Sequence, residues 1–463
     1  MLDSVLVWVE KNKKRWLADL QAWLAIPSVS TQENHAGDVR AAAEWVMYNL
    51  RTIGMKVELV ETNRHPCVIA RTPASMCPKD APHILIYGHY DVQPPEPLEL
   101  WTSGPFAGEV REGRIFARGA SDDKGQVHCH LAALTAWKEI NEGFPCNVTM
   151  IIEGEEEIGS PNLMSVVEKY RAELATAKTL IISDTNQFSA DVPSITYGLR
   201  GLAGMEIVLH GAKTDLHSGM YGGAVANPAH ALCEMVAKLH DGKGRVTVPG
   251  FYDDVMELTA REREMWAGLP FSEKEFAQTL GVEALYGEAG YSALERKWAR
   301  PTLEINGLTS GYQGQGGKTV LPNRASAKIT CRLVPNQNPE KIGDALEAYL
   351  RTLVPVGVRL EVLRGKGAGS PAAITPLDSP AMTAAAVALE AGFGKKPVFH
   401  REGGSIPVVA WFKEKLGVDS VLLGFGLPED GIHAPNEKLD LACYYGGIKT
   451  AAVLYERLGE RLK

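Results

Sequence analysis

Nowhere in the 463 residues does an apolar run approach the roughly 18–20 needed to cross a bilayer, so a membrane partner is not expected. The chain also lacks a surplus of positive charge: 48 Lys and Arg stand against 56 Asp and Glu, a formal balance of −8. A surface of that sign repels a phosphate backbone, which argues against nucleic acid. No Cys-x-x-Cys pair occurs among the seven cysteines, Cys67, Cys77, Cys129, Cys146, Cys233, Cys331 and Cys443. Scattered and odd in number, they suit the reduced thiols of a cytoplasmic protein better than a disulfide frame or a zinc knuckle. The first residues hold only a brief apolar stretch between Asp3 and Glu10, too short and too charged for a signal peptide. Repeats and low-complexity tracts are absent.

What is present reads as two kinds of structure. A chain this long exceeds what one hydrophobic core usually organises. Residues 4–25 have apolar positions at helical spacing, ended by Pro27. Short apolar runs at 83–88, 148–152 and 179–183 alternate with helical patterns, including 123–140 and a helix opened by Ser160 as N-cap and Pro161. Strand–helix alternation predicts an α/β domain with a mostly parallel sheet. After Gly201 the pattern changes to half-buried strands near 205–209, 327–333 and 358–362, with helices at 228–240 and 342–350. That order predicts an inserted α+β unit of ferredoxin-like type. The expected division is a discontinuous catalytic domain, 1–200 and 375–463, interrupted by a lid and dimerisation domain, 201–374.

Three apolar runs end in residues able to hold a cation. Ile84–Tyr87 leads to Gly88-His89-Tyr90-Asp91, Thr149–Ile152 to Glu153-Gly154-Glu155-Glu156-Glu157, and Leu180–Ser183 to Asp184. Ligands of open α/β sheets bind beyond the carboxyl ends of the strands, so these groups should converge. Asp122 and Asp123 at a helix start, and His433 in a glycine-rich loop, are placed to join them. Carboxylates and imidazoles together suit zinc, with manganese or cobalt also compatible. So many acids in one cleft repel unless cations neutralise them, and a pair of ions sharing one carboxylate meets that need.

The motifs His89-Tyr90-Asp91-Val92-Gln93-Pro94, Ser121-Asp122-Asp123-Lys124-Gly125, Glu156-Glu157-Ile158-Gly159-Ser160 and Asp184 follow in the order of the aminoacylase/carboxypeptidase-G clan of co-catalytic zinc metallopeptidases. Tyr197-Gly198-Leu199-Arg200-Gly201, Asp215-Leu216-His217-Ser218-Gly219, Arg401-Glu402-Gly403-Gly404-Ser405-Ile406-Pro407 and His433 resemble its carnosinase and cytosolic non-specific dipeptidase branch. The resemblance implies two zinc ions per subunit, one on His89, Asp122 and Asp184, the other on Asp122, Glu157 and His433. It implies that Asp91 orients His89, that Glu156 is the general base, and that His217 reaches across a homodimer to polarise the substrate carbonyl. Arg332, Thr319, Ser405 and the Gly403-Gly404 backbone are similar to the group that grips a terminal carboxylate. Three consecutive glutamates leave a choice of register, and the Glu-Glu-x-Gly-Ser spacing assigns the base to Glu156 rather than to a neighbour.

The remaining histidines, His128 and His130 among them, are expected to be surface or satisfied core residues. Gly311 to Thr319 fails the spacing of a phosphate-binding loop, and Gly403–Pro407 lacks the second glycine of a serine nucleophile elbow. The expected function is hydrolysis of a short peptide with a free carboxylate. An N-acyl-amino-acid deacylase or desuccinylase is the alternative in the same chemistry, and a non-catalytic metal-binding relative the alternative outside it.

Overall fold

The computed structural model describes residues 1–365 and 369–462. Two compact units emerge: residues 1–197, 375–400 and 411–463 form one, residues 198–374 and 401–410 the other. The sequence pattern assigns 375–463 to the first unit without a break, whereas 401–410 pack with the second. The reason is local bonding: Arg200 N–H donates to Gly404 O at 3.1 Å, and Arg200 Nε to Gly403 O at 3.0 Å.

The first unit is built on a mixed sheet whose centre is parallel. Strands Asn147–Glu153, His83–His89, Leu180–Ile182 and Ser420–Leu422 lie side by side in that order, all parallel. Cys67–Arg71 and Lys56–Val60 add antiparallel strands at one side, and Ser194–Leu199 pairs antiparallel at the other. Residues 84–87, 148–152 and 180–182 are buried throughout, as expected of parallel strands covered by helices. Helix Lys124–Asn141 packs on Leu441–Arg461, with Trp137 Nε1 donating to Ala452 O at 2.9 Å.

Two local expectations fail. The first 24 residues form two helices, Leu2–Lys11 and Lys13–Leu24, because Asn12 leaves helical geometry and its side-chain amide donates to Trp8 O at 2.8 Å. Ser160 is not an N-cap: it has φ +51°, its hydroxyl donates to Glu153 Oε1 at 2.8 Å, and the helix starts later, at Leu163–Lys169.

The second unit has the βαββαβ order of a ferredoxin-like fold. Strands Thr302–Ser310, Arg324–Leu333, Gly201–His210 and Arg359–Leu363 are neighbours in that order and antiparallel throughout. Helices Pro228–Ala237 and Pro339–Leu353 supply Leu232, Met235, Ile342, Leu346 and Leu350 to a core with Met205, Ile207, Leu209, Ile329 and Cys331. Asn227 and Asn338 cap these helices through side-chain acceptors, each followed by proline in the first turn. No helix among the described residues is long and apolar enough to cross a membrane.

Candidate active site

The carboxyl ends of the parallel strands place the first ligand candidates. His89 ends its strand, and Gly88 before it is required: a Cβ there would sit 2.4 Å from Val127 Cγ2 and 2.8 Å from Asp123 Oδ2. The bare backbone lets the strand end abut the start of helix Lys124–Asn141. Asp122 lies just before that helix, joined to Asp123 by a cis peptide. Gly125 is needed as well, since its Cβ would fall 1.9 Å from Ala120 O.

Asp122 stands at the centre. Its Oδ1 is 3.0 Å from His89 Nε2, and its Oδ2 is 2.9 Å from His433 Nε2. His433 Nε2 is also 3.3 Å from Glu157 Oε2. Two triads result, His89 with Asp122 and Asp184, and Asp122 with Glu157 and His433, each offering ligand atoms within 4.8 Å of one another. His433 is half-exposed, in a loop where it holds φ +62°.

The three glutamates separate by their partners. Glu155 is buried and fully engaged: it accepts from Thr62 Oγ1 at 2.7 Å, His65 N at 2.8 Å and Asn162 Nδ2 at 2.8 Å. Glu157 accepts from Gln93 Nε2 at 2.7 Å through Oε2, while its Oε1 is buried without a hydrogen bond. Glu156 makes no side-chain hydrogen bond with the described residues and feels His89, Glu157, Asp122 and Asp91. Asp91 is buried, with Oδ1 accepting from Glu156 N at 3.2 Å and Oδ2 from Glu157 N at 3.1 Å. Its backbone carbonyl lies 3.1 Å from His89 Nδ1.

The electrostatics ask for positive charge. Burial pushes Glu156 up to about 7, with His89 opposing and Glu157, Asp122 and Asp91 reinforcing. Burial, together with Asp123 and Asp122, holds Asp184 well above the carboxylate range. Bonds to Asp122 and Glu157 push His433 up to about 10. Burial would lower the His89 pKa, yet its bonds to Asp122 and Asp91 outweigh that and raise it. Each shift favours the protonated form where a cation pair would supply the positive charge instead, so metal uptake would be coupled to proton release. The orphaned Oε1 of Glu157 and the mixed O/N donor set fit divalent ions of the zinc kind.

The second unit holds the other candidates in two places. Arg332 Nη1 donates to Ser405 Oγ at 3.0 Å, and Ser405 Oγ donates to Arg200 O at 2.5 Å, beside Gly403 and Gly404. His217 is exposed and pairs with Val320 across a two-residue ladder, and Ser218 N donates to Thr319 O at 3.1 Å. Thr319 therefore sits with His217, not with Arg332. Strand Arg324–Leu333 runs between the two places, and its eight steps from Arg324 to Arg332 span about 26 Å at roughly 3.3 Å per residue. Within one chain Thr319 and Arg332 thus lie toward opposite ends of that strand.

Two of the histidines read as structural have structural partners: His128 Nδ1 is 2.7 Å from Tyr444 Oη, and His130 contacts Tyr455 Oη at 2.7 Å and Ser183 Oγ at 2.8 Å. Sequence reasoning assigns no role to Gln93, Arg118 or Glu437, which bond to the ligand loops. Their residue types carry no signal beyond nearness to motif positions.

Buried carboxylates and imidazoles at the ends of parallel strands, in two triads with a common acid, are the equipment of a hydrolase that works with paired cations. The chain belongs to peptidase family M20/M25/M40, whose family model matches residues 85–457. It is 32% identical to the Cys-Gly metallodipeptidase of Candida albicans, over 97% of this chain and 96% of that protein. Among solved structures it resembles human carnosine dipeptidase 1, with TM-score 0.83, 28% identity and 99% of each chain covered. It also resembles an M20 family metallo-carboxypeptidase from Sulfolobus solfataricus, with TM-score 0.84, 33% identity, and 96% of this chain and 99% of that one covered.

Proposed function

We propose that this metallopeptidase hydrolyses dipeptides with a free C-terminal carboxylate, using two divalent ions, zinc by preference. One ion would rest on His89, Asp122 and Asp184, the other on Asp122, Glu157 and His433. The observation that carries the reading is the double engagement of Asp122, one oxygen toward each histidine. The ions, when bound, would make a water acidic enough to attack and would polarise the scissile carbonyl.

The chain's own residues do the rest. Asp91 aligns His89 and pins the backbone of Glu156 and Glu157. Glu156 takes the proton of the attacking water and delivers it to the leaving amine. Arg332, with Ser405 and the Gly403-Gly404 backbone, holds the substrate carboxylate, a bidentate task that guanidinium geometry suits.

His217 and Thr319 would come from a second copy of the chain. The separation of about 26 Å along strand Arg324–Leu333 supports this, because one chain cannot bring both ends of that strand to one small substrate. A homodimer supplies Arg332 from one copy and His217 of the partner subunit from the other. Seven cysteines without a disulfide suit a reducing compartment, and we assign the protein to the cytoplasm.

The similarity to a carboxypeptidase favours one second reading, release of the last residue from longer peptides. A metal-loaded preparation tested on dipeptides, tripeptides, N-acetyl amino acids and succinylated diamino acids separates these. Metal-dependent cleavage of dipeptides is expected. Cleavage confined to acylated substrates would overturn the dipeptide reading, and preference for longer peptides would favour the carboxypeptidase one.

A further inference from the structure

Glu437 lies four residues beyond His433, in the same loop, and is completely buried. Its carboxylate is surrounded by donors from one segment of the chain. Oε2 accepts from Arg118 Nη1 at 2.6 Å and Gly119 N at 3.1 Å. Oε1 accepts from Ser121 N at 3.0 Å and Asp122 N at 3.1 Å. The two segments are brought together by strand pairing, with Lys438 opposite Phe116 and Ala117 N donating to Glu437 O at 3.1 Å. A second carboxylate of the same loop, Asp430, accepts from Ser121 Oγ at 3.1 Å.

We infer that Glu437 is a positioning residue that fixes the backbone of Asp122 relative to His433, and so sets the geometry of the acid shared by the two triads. The inference rests on the metal reading above. Asp122 and His433 are far apart in sequence, so their relative position depends on tertiary contacts between the two segments. A buried carboxyl group held by four donors, one of them the Arg118 guanidinium, fixes that position, since hydrogen bonds to a charged partner are short and directional. Asn436 anchors the loop from its other side, accepting from Thr102 N at 2.9 Å and donating to Leu100 O at 2.7 Å. The loop that carries His433 is thus held at Asn436 as well as at Glu437.

The alternative is that Glu437 serves only to neutralise Arg118. Three variants separate the two roles. Glu437→Gln places an amide N–H₂ against backbone donors, and Glu437→Asp keeps the charge but withdraws the oxygens by one methylene. Arg118→Met removes the ion pair and leaves the carboxylate on its three backbone donors. Zinc affinity is measured by competition with a chelator, and cobalt absorption reports the ligand geometry. Unfolding of each metal-free variant is followed in parallel.

A loss of about 10–100-fold in affinity is expected for Glu437→Asp and Glu437→Gln, with an altered cobalt spectrum, the usual scale for groups behind the ligands. Arg118→Met should stay within about threefold even if less stable. Unchanged affinity in Glu437→Asp, or an equal loss in Arg118→Met, would overturn the inference. An unaltered protein that takes up no metal would overturn both this inference and the metal reading, whereas normal uptake with indifferent variants would overturn only the role of Glu437.

Discussion

Asp91 and Glu157 are joined by a backbone hydrogen bond, from Glu157 N to Asp91 Oδ2 at 3.1 Å, and the other oxygen of Asp91 accepts from Glu156 N. The same residue's carbonyl faces His89 Nδ1. One buried acid thus ties the loop after strand His83–His89 to the loop after strand Asn147–Glu153. Asp91→Asn can accept on one oxygen only, leaving a backbone N–H facing an amide. We expect a fall of about 10–100-fold in metal affinity or turnover, measured by chelator competition and by initial rates.

Among the three consecutive glutamates, Glu156 is the one whose side chain makes no hydrogen bond with the described residues. Glu156→Gln should keep both metals and lower turnover by at least about 10²-fold, the scale of a general base. Near-normal turnover would remove it from the proton path.

The shared site predicts complementation. A His217→Ala protein and an Asp122→Ala protein should each be inactive, the first with its metals in place. Mixed after dissociation, they should recover activity, because one site of the heterodimer then has intact ligands and an intact His217 of the partner subunit. Recovery is read as dipeptide hydrolysis on mixing, and its absence argues against sharing.

Stability should fall as acid is added. Burial pushes His128 down to about 3 and His130 to about 4, below the unfolded value of about 6.5. Well above pH 6.5 both rings are neutral in either state. As pH falls from there toward 4, the unfolded chain takes up protons that the folded chain refuses, so stability is lost by up to about 1.4 kcal/mol per pH unit for each ring. Denaturant titrations at several pH values should show this slope, flattened in His130→Asn.

Much of the fold and site is legible in the sequence because parallel strands announce themselves. Runs such as Ile84–Tyr87 and Leu180–Ile182 are apolar at every position, and the residues directly after each run are delivered to one edge of the sheet. The meeting of His89, Asp122 and Asp184 stems from that rule with the helix start at Lys124. Less legible are features decided by a particular side-chain bond, local or tertiary. Helical periodicity runs through Asn12 although the helix breaks there, and Ser160-Pro161 reads as a cap although Glu153 claims the hydroxyl. The distance between Thr319 and Arg332 depends on which strand lies between them, and the role of Glu437 on backbone donors more than 300 positions away, as with Asp122 N.

Asp122 standing between two cations is the claim on which the rest depends. The most direct test is elemental analysis of the zinc-reconstituted protein, followed by anomalous scattering from its crystals. Two ions per chain are expected, one beside His89 and Asp184 and one beside Glu157 and His433, each in contact with an oxygen of Asp122. No anomalous peak near Asp122 after reconstitution would contradict it.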